Sequence, residues 1–169
     1  MHATSARSLC CVRKLVLLVG LLVLAGCSSA PEPPPPPPKV DFTVAATKVT
    51  AKPYLYCDVQ VQDCKRDNTA QVKLKVAPGT PVRVRVPKEV ADTPWSVVIQ
   101  YRTAAGEQKA PETVATFSPG KSSSFEAKPP GAGDQLQTVE VKQAGAKLVQ
   151  GAAGPEAVTR GVWSAQVEP

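Results

Sequence analysis

The chain has 169 residues, 43% hydrophobic and 20% charged, with a formal net charge of +6 and one histidine, His2. That length suits a leader and one domain, and the charge is too small to imply a nucleic-acid partner. With its single histidine at position 2, the body of the chain lacks the base of a Ser-His-Asp or Cys-His mechanism and the commonest zinc ligand.

The first stretch reads as a secretory leader. Arg7, Arg13 and Lys14 precede the apolar core Leu15–Leu24. That core is too short for a spanning helix, which needs roughly 20 apolar residues. Leu24-Ala25-Gly26-Cys27 looks like the lipobox of a bacterial lipoprotein. Residues 1–26 are then the signal peptide, and Cys27 takes a diacylglycerol on its thiol, with palmitate-type acylation of the freed amine. At about 0.8 kcal/mol per buried methylene, two or three chains hold a protein stably in a bilayer. The expected location is the extracytoplasmic side of the cell membrane. Arg7, Arg13 and Lys14 leave with the leader, so the mature chain is only mildly basic.

Residues 27–39 form the expected tether. Pro33–Pro38 is an unbroken proline run that favours polyproline II and acts as a stiff spacer. From Val40 to Pro169 the pattern is that of strands: valine and threonine alternate with polar residues, and proline or glycine recurs about every ten residues. Phe42–Thr50 is a predicted first strand, and Tyr54–Val61 is extended. Gln71–Val76 and Pro81–Val86 alternate strictly. Trp95–Arg102 is the predicted central strand, with Trp95, Val97, Ile99 and Tyr101 on its core face. Val114–Phe117 and Ser123–Ala127 are shorter strands. Leu136–Lys142 and Arg160–Val167 complete the set. Pro87–Thr93 fits one helical turn. Ala144–Val158 reads as a loop with a short strand at Lys147–Val149. The fold expected is all-β: an antiparallel, immunoglobulin-like β-sandwich of about seven to nine strands.

Cys57 and Cys64 are the two cysteines left after the leader and the lipobox. In an oxidising compartment they predict one disulfide. Their six-residue gap does not fit a Cys-x-x-Cys redox motif. Asp58, Asp63 and Asp67 flank the same loop but lack calcium-loop spacing, and Lys65 and Arg66 oppose a cation. Ser118-Pro119-Gly120-Lys121 carries a Ser-x-x-Lys string on a turn rather than a helix, without its partner motifs. Gly131-Ala132-Gly133 lacks the rest of a nucleotide loop. No metal, cofactor or catalytic set is therefore expected.

The remaining candidate is basic. If Gln71–Val76 and Pro81–Val86 pair as a hairpin, Lys75 lies across from Arg83 and Lys73 across from Arg85. Like charges directly opposite are unfavourable. Either the two strands belong to different sheets, or acidic neighbours offset the face, or it serves an anionic partner such as a lipid headgroup or an acidic glycan.

Pro53-Tyr54-Leu55-Tyr56-Cys57, Asp63-Cys64, Val84-Arg85-Val86-Pro87, Pro94-Trp95, Tyr101 and Val162-Trp163-Ser164 together resemble the domain-of-unknown-function family 2771. The resemblance covers roughly Val40 to Val167. It implies an actinobacterial cell envelope and no particular reaction.

The leading expectation is a non-enzymatic envelope lipoprotein that binds a protein, lipid or glycan. One alternative is a small hydrolase or transferase using carboxylates such as Glu89 and Asp92. The other is a structural spacer without a ligand.

Overall fold

The computed structural model describes residues 35–152 and 154–169. The leader, the lipidation site Cys27 and the first part of the tether lie outside the described residues. So does Ala153. Eleven strands and one helical turn occur among the described residues. Strands β1 (Val40–Val44), β2 (Thr47–Ala51), β6 (Val82–Arg85) and β9 (Ser124–Ala127) form a four-stranded sheet in the order β2-β1-β6-β9. The second sheet contains β3 (Leu55–Cys57), β4 (Cys64–Arg66), β7 (Trp95–Arg102), β8 (Glu112–Phe117), β10 (Gln135–Gly151) and β11 (Gly154–Glu168). Its order is β4-β3-β11-β10-β7-β8, and β5 (Val72–Lys75) adds to β11 beyond β3. The helical turn α1 (Lys88–Ala91) follows β6.

The two sheets make the expected sandwich because their central strands bury alternate residues. Val40, Phe42, Val82, Val84 and Ala127 face inward from the smaller sheet. Trp95, Val97, Ile99, Tyr101, Val139, Val141, Trp163 and Ala165 face them from the larger one. On β10 the inward residues change parity, from Leu136 to Val139, and a register shift against β7 between Leu136 and Thr138 accommodates this.

Three expectations need correction, and one pairing left open between alternatives is decided. Phe42–Thr50 is two strands, because Ala45 takes a left-handed φ of 48° and turns the chain back. The extended Tyr54–Val61 stretch is likewise divided, into β3 and the loop that leads to β4. The short strand predicted at Lys147–Val149 is present, but most of the rest of Ala144–Val158, read as loop, is also strand: it is the far part of a long β10–β11 ribbon, in which Leu148 pairs with Ala157 and Val149 with Glu156. Its small residues concealed a strand pair that lacks a core face, and Leu148 is 64% exposed. The hairpin between β5 and β6 does not form: β5 pairs parallel with β11, and β6 pairs with β1 and β9.

The linker between β5 and β6 crosses from one sheet to the other around Asp134. The Gly79 amide donates to the Asp134 carbonyl at 2.8 Å. The buried Asp134 carboxylate accepts from the amides of Ala104 and Gly131, at 3.0 and 2.9 Å. Gly131–Gly133 therefore belongs to a loop clasp. Packing also begins before Val40: Pro38 is buried, and its carbonyl accepts a 2.9 Å hydrogen bond from the Trp163 indole.

Candidate functional site

Two register relationships create the site. In the β1–β2 hairpin, Val40 is opposite Ala51, so the next residues outward, Lys39 and Lys52, flank the same end. In the β3–β4 hairpin, Tyr56 is opposite Lys65 and Leu55 opposite Arg66. Lys52 and Pro53 join the two hairpins, one in each sheet. The Tyr54 amide, bonded to the Val162 carbonyl at 2.8 Å, fixes where that link lands.

The Cys57–Cys64 disulfide closes the β3–β4 loop, with an S–S distance of 2.00 Å. Inside the loop, the Asp58 carboxylate accepts the Gln62 amide at 2.7 Å. Beyond it, the Asp67 carboxylate accepts both the amide and the hydroxyl of Thr69, at 2.9 and 2.6 Å. These bonds, the hydroxyl bond foremost, hold Asp67 below the usual carboxylate range. Both acids are committed to turn geometry, and no cluster of three metal-ligating side chains occurs among the described residues.

The result is a cleft of about 330 Å³. Pro36, Pro37, Pro53 and Tyr56 supply apolar wall, while Lys39, Lys52, Lys65 and Arg66 supply four cations and Asp67 one acid. Tyr56 anchors the wall. Its hydroxyl donates to Glu89 Oε1 at 3.2 Å and accepts from Arg160 Nη2 at 2.9 Å. Its ring meets Trp163 edge-on, with centroids 6.1 Å apart. Burial pushes its phenol above the ordinary value. Arg66 is steered by Tyr54, donating to the hydroxyl at 2.6 Å with its guanidinium 5.2 Å from the ring centroid.

Six cations elsewhere on the sandwich are ion-paired. Lys48 pairs with Asp41, Lys73 with Glu168, Arg83 with Glu126, Lys109 with Glu107 and Lys142 with Glu140. Lys88 pairs with Asp92 one helical turn away. Lys39, Lys52, Lys65 and Arg66 form no ion pair among the described residues.

The basic residues singled out from the sequence are not brought together. Lys73 and Lys75 lie on β5 in the larger sheet, and Arg83 and Arg85 lie on β6 in the smaller one. Lys73 and Arg83 have carboxylate partners, and Arg85 is opposite Asp41 in register. Different sheets and acidic neighbours thus remove the like-charge conflict. Glu89 and Asp92 do not converge either: both are exposed, one beside Tyr56 and the other beside Lys88. The cleft residues carried only faint sequence signals, namely the cation closing the proline run and the Lys-Arg pair after Cys64. Nothing in their spacing brings Lys39 and Lys52 to Lys65.

The Cys57–Cys64 hairpin, the two tryptophan strands on either side of β10 and the lead-in segment that Trp163 holds all lie inside one family match. The chain belongs to the family described as Protein of unknown function (DUF2771). The DUF2771 match runs over residues 33–168, so it takes in the cleft walls Pro36 and Pro37 as well as the sandwich. No curated protein and no solved structure matches the chain.

Proposed function

We propose that this DUF2771 protein is a non-enzymatic binding module, lipid-anchored through Cys27 and displayed on the outer face of an actinobacterial cytoplasmic membrane. The observation that carries the binding part is the cleft at the root of the tether, where four cations without ion-pair partners among the described residues converge on one apolar-walled concavity. The lipobox and the proline run support the anchor. A β-sandwich with a filled core suits display rather than turnover. A carboxylate mechanism would need two acids converging on one cleft, and Glu89 and Asp92 stand apart on the surface.

The test is fractionation of wild type and Cys27→Ala in an actinobacterial host, followed by cross-linking and identification of neighbours. Wild type should be found with the membrane. Cys27→Ala should be released or remain a heavier precursor. Identical mass and fractionation for the two would overturn the anchor.

A further inference from the structure

We infer that the cleft holds the phosphate head of an anionic phospholipid from the membrane to which the tether leads. The inference rests on the binding reading above and supplies its ligand. Charge selects an anion: Lys39 and Lys52 flank one hairpin end and Lys65 and Arg66 edge the next. Like charges held together repel, and a concave site with low-dielectric walls focuses their potential. The walls select the rest of the ligand. Proline offers no amide donor, so Pro36, Pro37 and Pro53 with the Tyr56 ring suit glycerol carbons and the first methylenes rather than a sugar.

Size sets a limit. Small-molecule sites run to about 300–1,000 Å³, and this cleft, at about 330 Å³, is near the bottom of that range. It fits a headgroup with its glycerol and leaves the acyl chains outside, which makes it a headgroup clamp and not a lipid carrier. Position selects the source. Nine peptide steps separate Cys27 from Pro36, at most about 32 Å at the ~3.6 Å per residue of a fully extended chain. A lipidated Cys27 therefore keeps the cleft within reach of the headgroup plane at high effective concentration. Engaging a headgroup would draw the domain down along its own tether.

The test uses full-length protein purified in an uncharged detergent and titrated calorimetrically with dihexanoyl phosphatidylglycerol, dihexanoyl phosphatidylcholine and glycerol 3-phosphate. Phosphatidylglycerol should bind at least tenfold more tightly than the other two. Lys52→Gln/Lys65→Gln should weaken it at least tenfold. Lys121→Gln/Lys128→Gln removes the same charge outside the cleft and should change it less than twofold. Glycerol 3-phosphate binding as tightly as the lipid would overturn the membrane source and leave a soluble phosphate ester as occupant. Absence of binding, or equal loss in both double variants, would overturn the site. Because the probes are added in detergent, either result stands apart from the fate of Cys27.

Discussion

Replacing Trp163 with phenylalanine tests whether the lead-in segment belongs to the fold. Trp163 is fully buried, and its indole N–H donates to the Pro38 carbonyl at 2.9 Å. Gly161 makes room for it: a Cβ there would lie 2.7 Å from the indole Cη2. Phenylalanine keeps the aromatic body and removes the donor. Orphaning a buried carbonyl costs about 1–3 kcal/mol. A void on the order of 40 Å³, at ~24 cal/mol per Å³, adds about 1 kcal/mol. The total, about 3 kcal/mol, lowers Tm by roughly 6–12 °C at ~2–4 °C per kcal/mol. Calorimetry reads the global loss, and limited Lys-C digestion after Lys39 reads the local one. Trp95→Phe is the control, since its indole donates to the Ser122 carbonyl at 3.2 Å instead. It should lower Tm without exposing Lys39. A Trp163→Phe protein that melts within a degree of wild type, with Lys39 no more sensitive, would refute the claim that this bond clamps residues 36–39.

Three further outcomes follow. Cys57→Ser/Cys64→Ser should lose about 2.5 kcal/mol, the chain-entropy value for an eight-residue loop, and reduced wild type should melt with the variant. Tyr56→Phe should flatten the alkaline limb of stability. Burial raises the folded phenol above its ordinary value, so its contribution is full below the ordinary value and fades as pH rises through the folded one; equal limbs in denaturant titrations at high pH would refute this. Gly79→Ala should cost about 2–4 kcal/mol or prevent folding, because Gly79 has φ +70° and a Cβ would meet the Ala132 carbonyl oxygen at 2.0 Å. A melting curve like wild type would show that the Asp134 clasp gives way.

The sandwich was legible because its central strands bury one face and solvate the other. Trp95–Arg102 is a strand over the predicted bounds, with Trp95, Val97, Ile99 and Tyr101 buried. Strand-like pattern does not report pairing, which is why β5 and β6, adjacent and both alternating, sit in different sheets. Apart from the short strand at Lys147–Val149, the far ribbon was illegible for a related reason. Its strands are specified by register with each other alone, and exposed residues such as Leu148 and Val149 carry no inward-outward signal. The disulfide was readable from cysteine arithmetic. The cleft was not, because Lys39 and Lys65 come together only once both hairpins are placed.

The acids around that cleft explain why its charge persists. Exposed ion pairs contribute at most about 1 kcal/mol, so the pairs elsewhere on the sandwich are weak devices for stability. Their pattern is nonetheless informative. The acids nearest in sequence to Lys65 and Arg66 are Asp58, Asp63 and Asp67, three carboxylates against two cations. Asp58 is held by the Gln62 amide and Asp67 by Thr69, both inside their own turns. A disulfide fixes the loop carrying Asp58, so that acid cannot swing to the rim without opening the turn. Neutralising the rim with Asp58 would require dismantling the turn that carries it. An anion from outside meets no such obstacle, and Arg66 is already oriented by the Tyr54 hydroxyl and ring, so less side-chain freedom is lost on binding. Tyr54→Phe, which keeps the ring and frees the guanidinium, should therefore weaken the headgroup by a few-fold while leaving the Lys52 and Lys65 contributions intact. Unchanged affinity in the same calorimetric titration would place Arg66 outside the binding set.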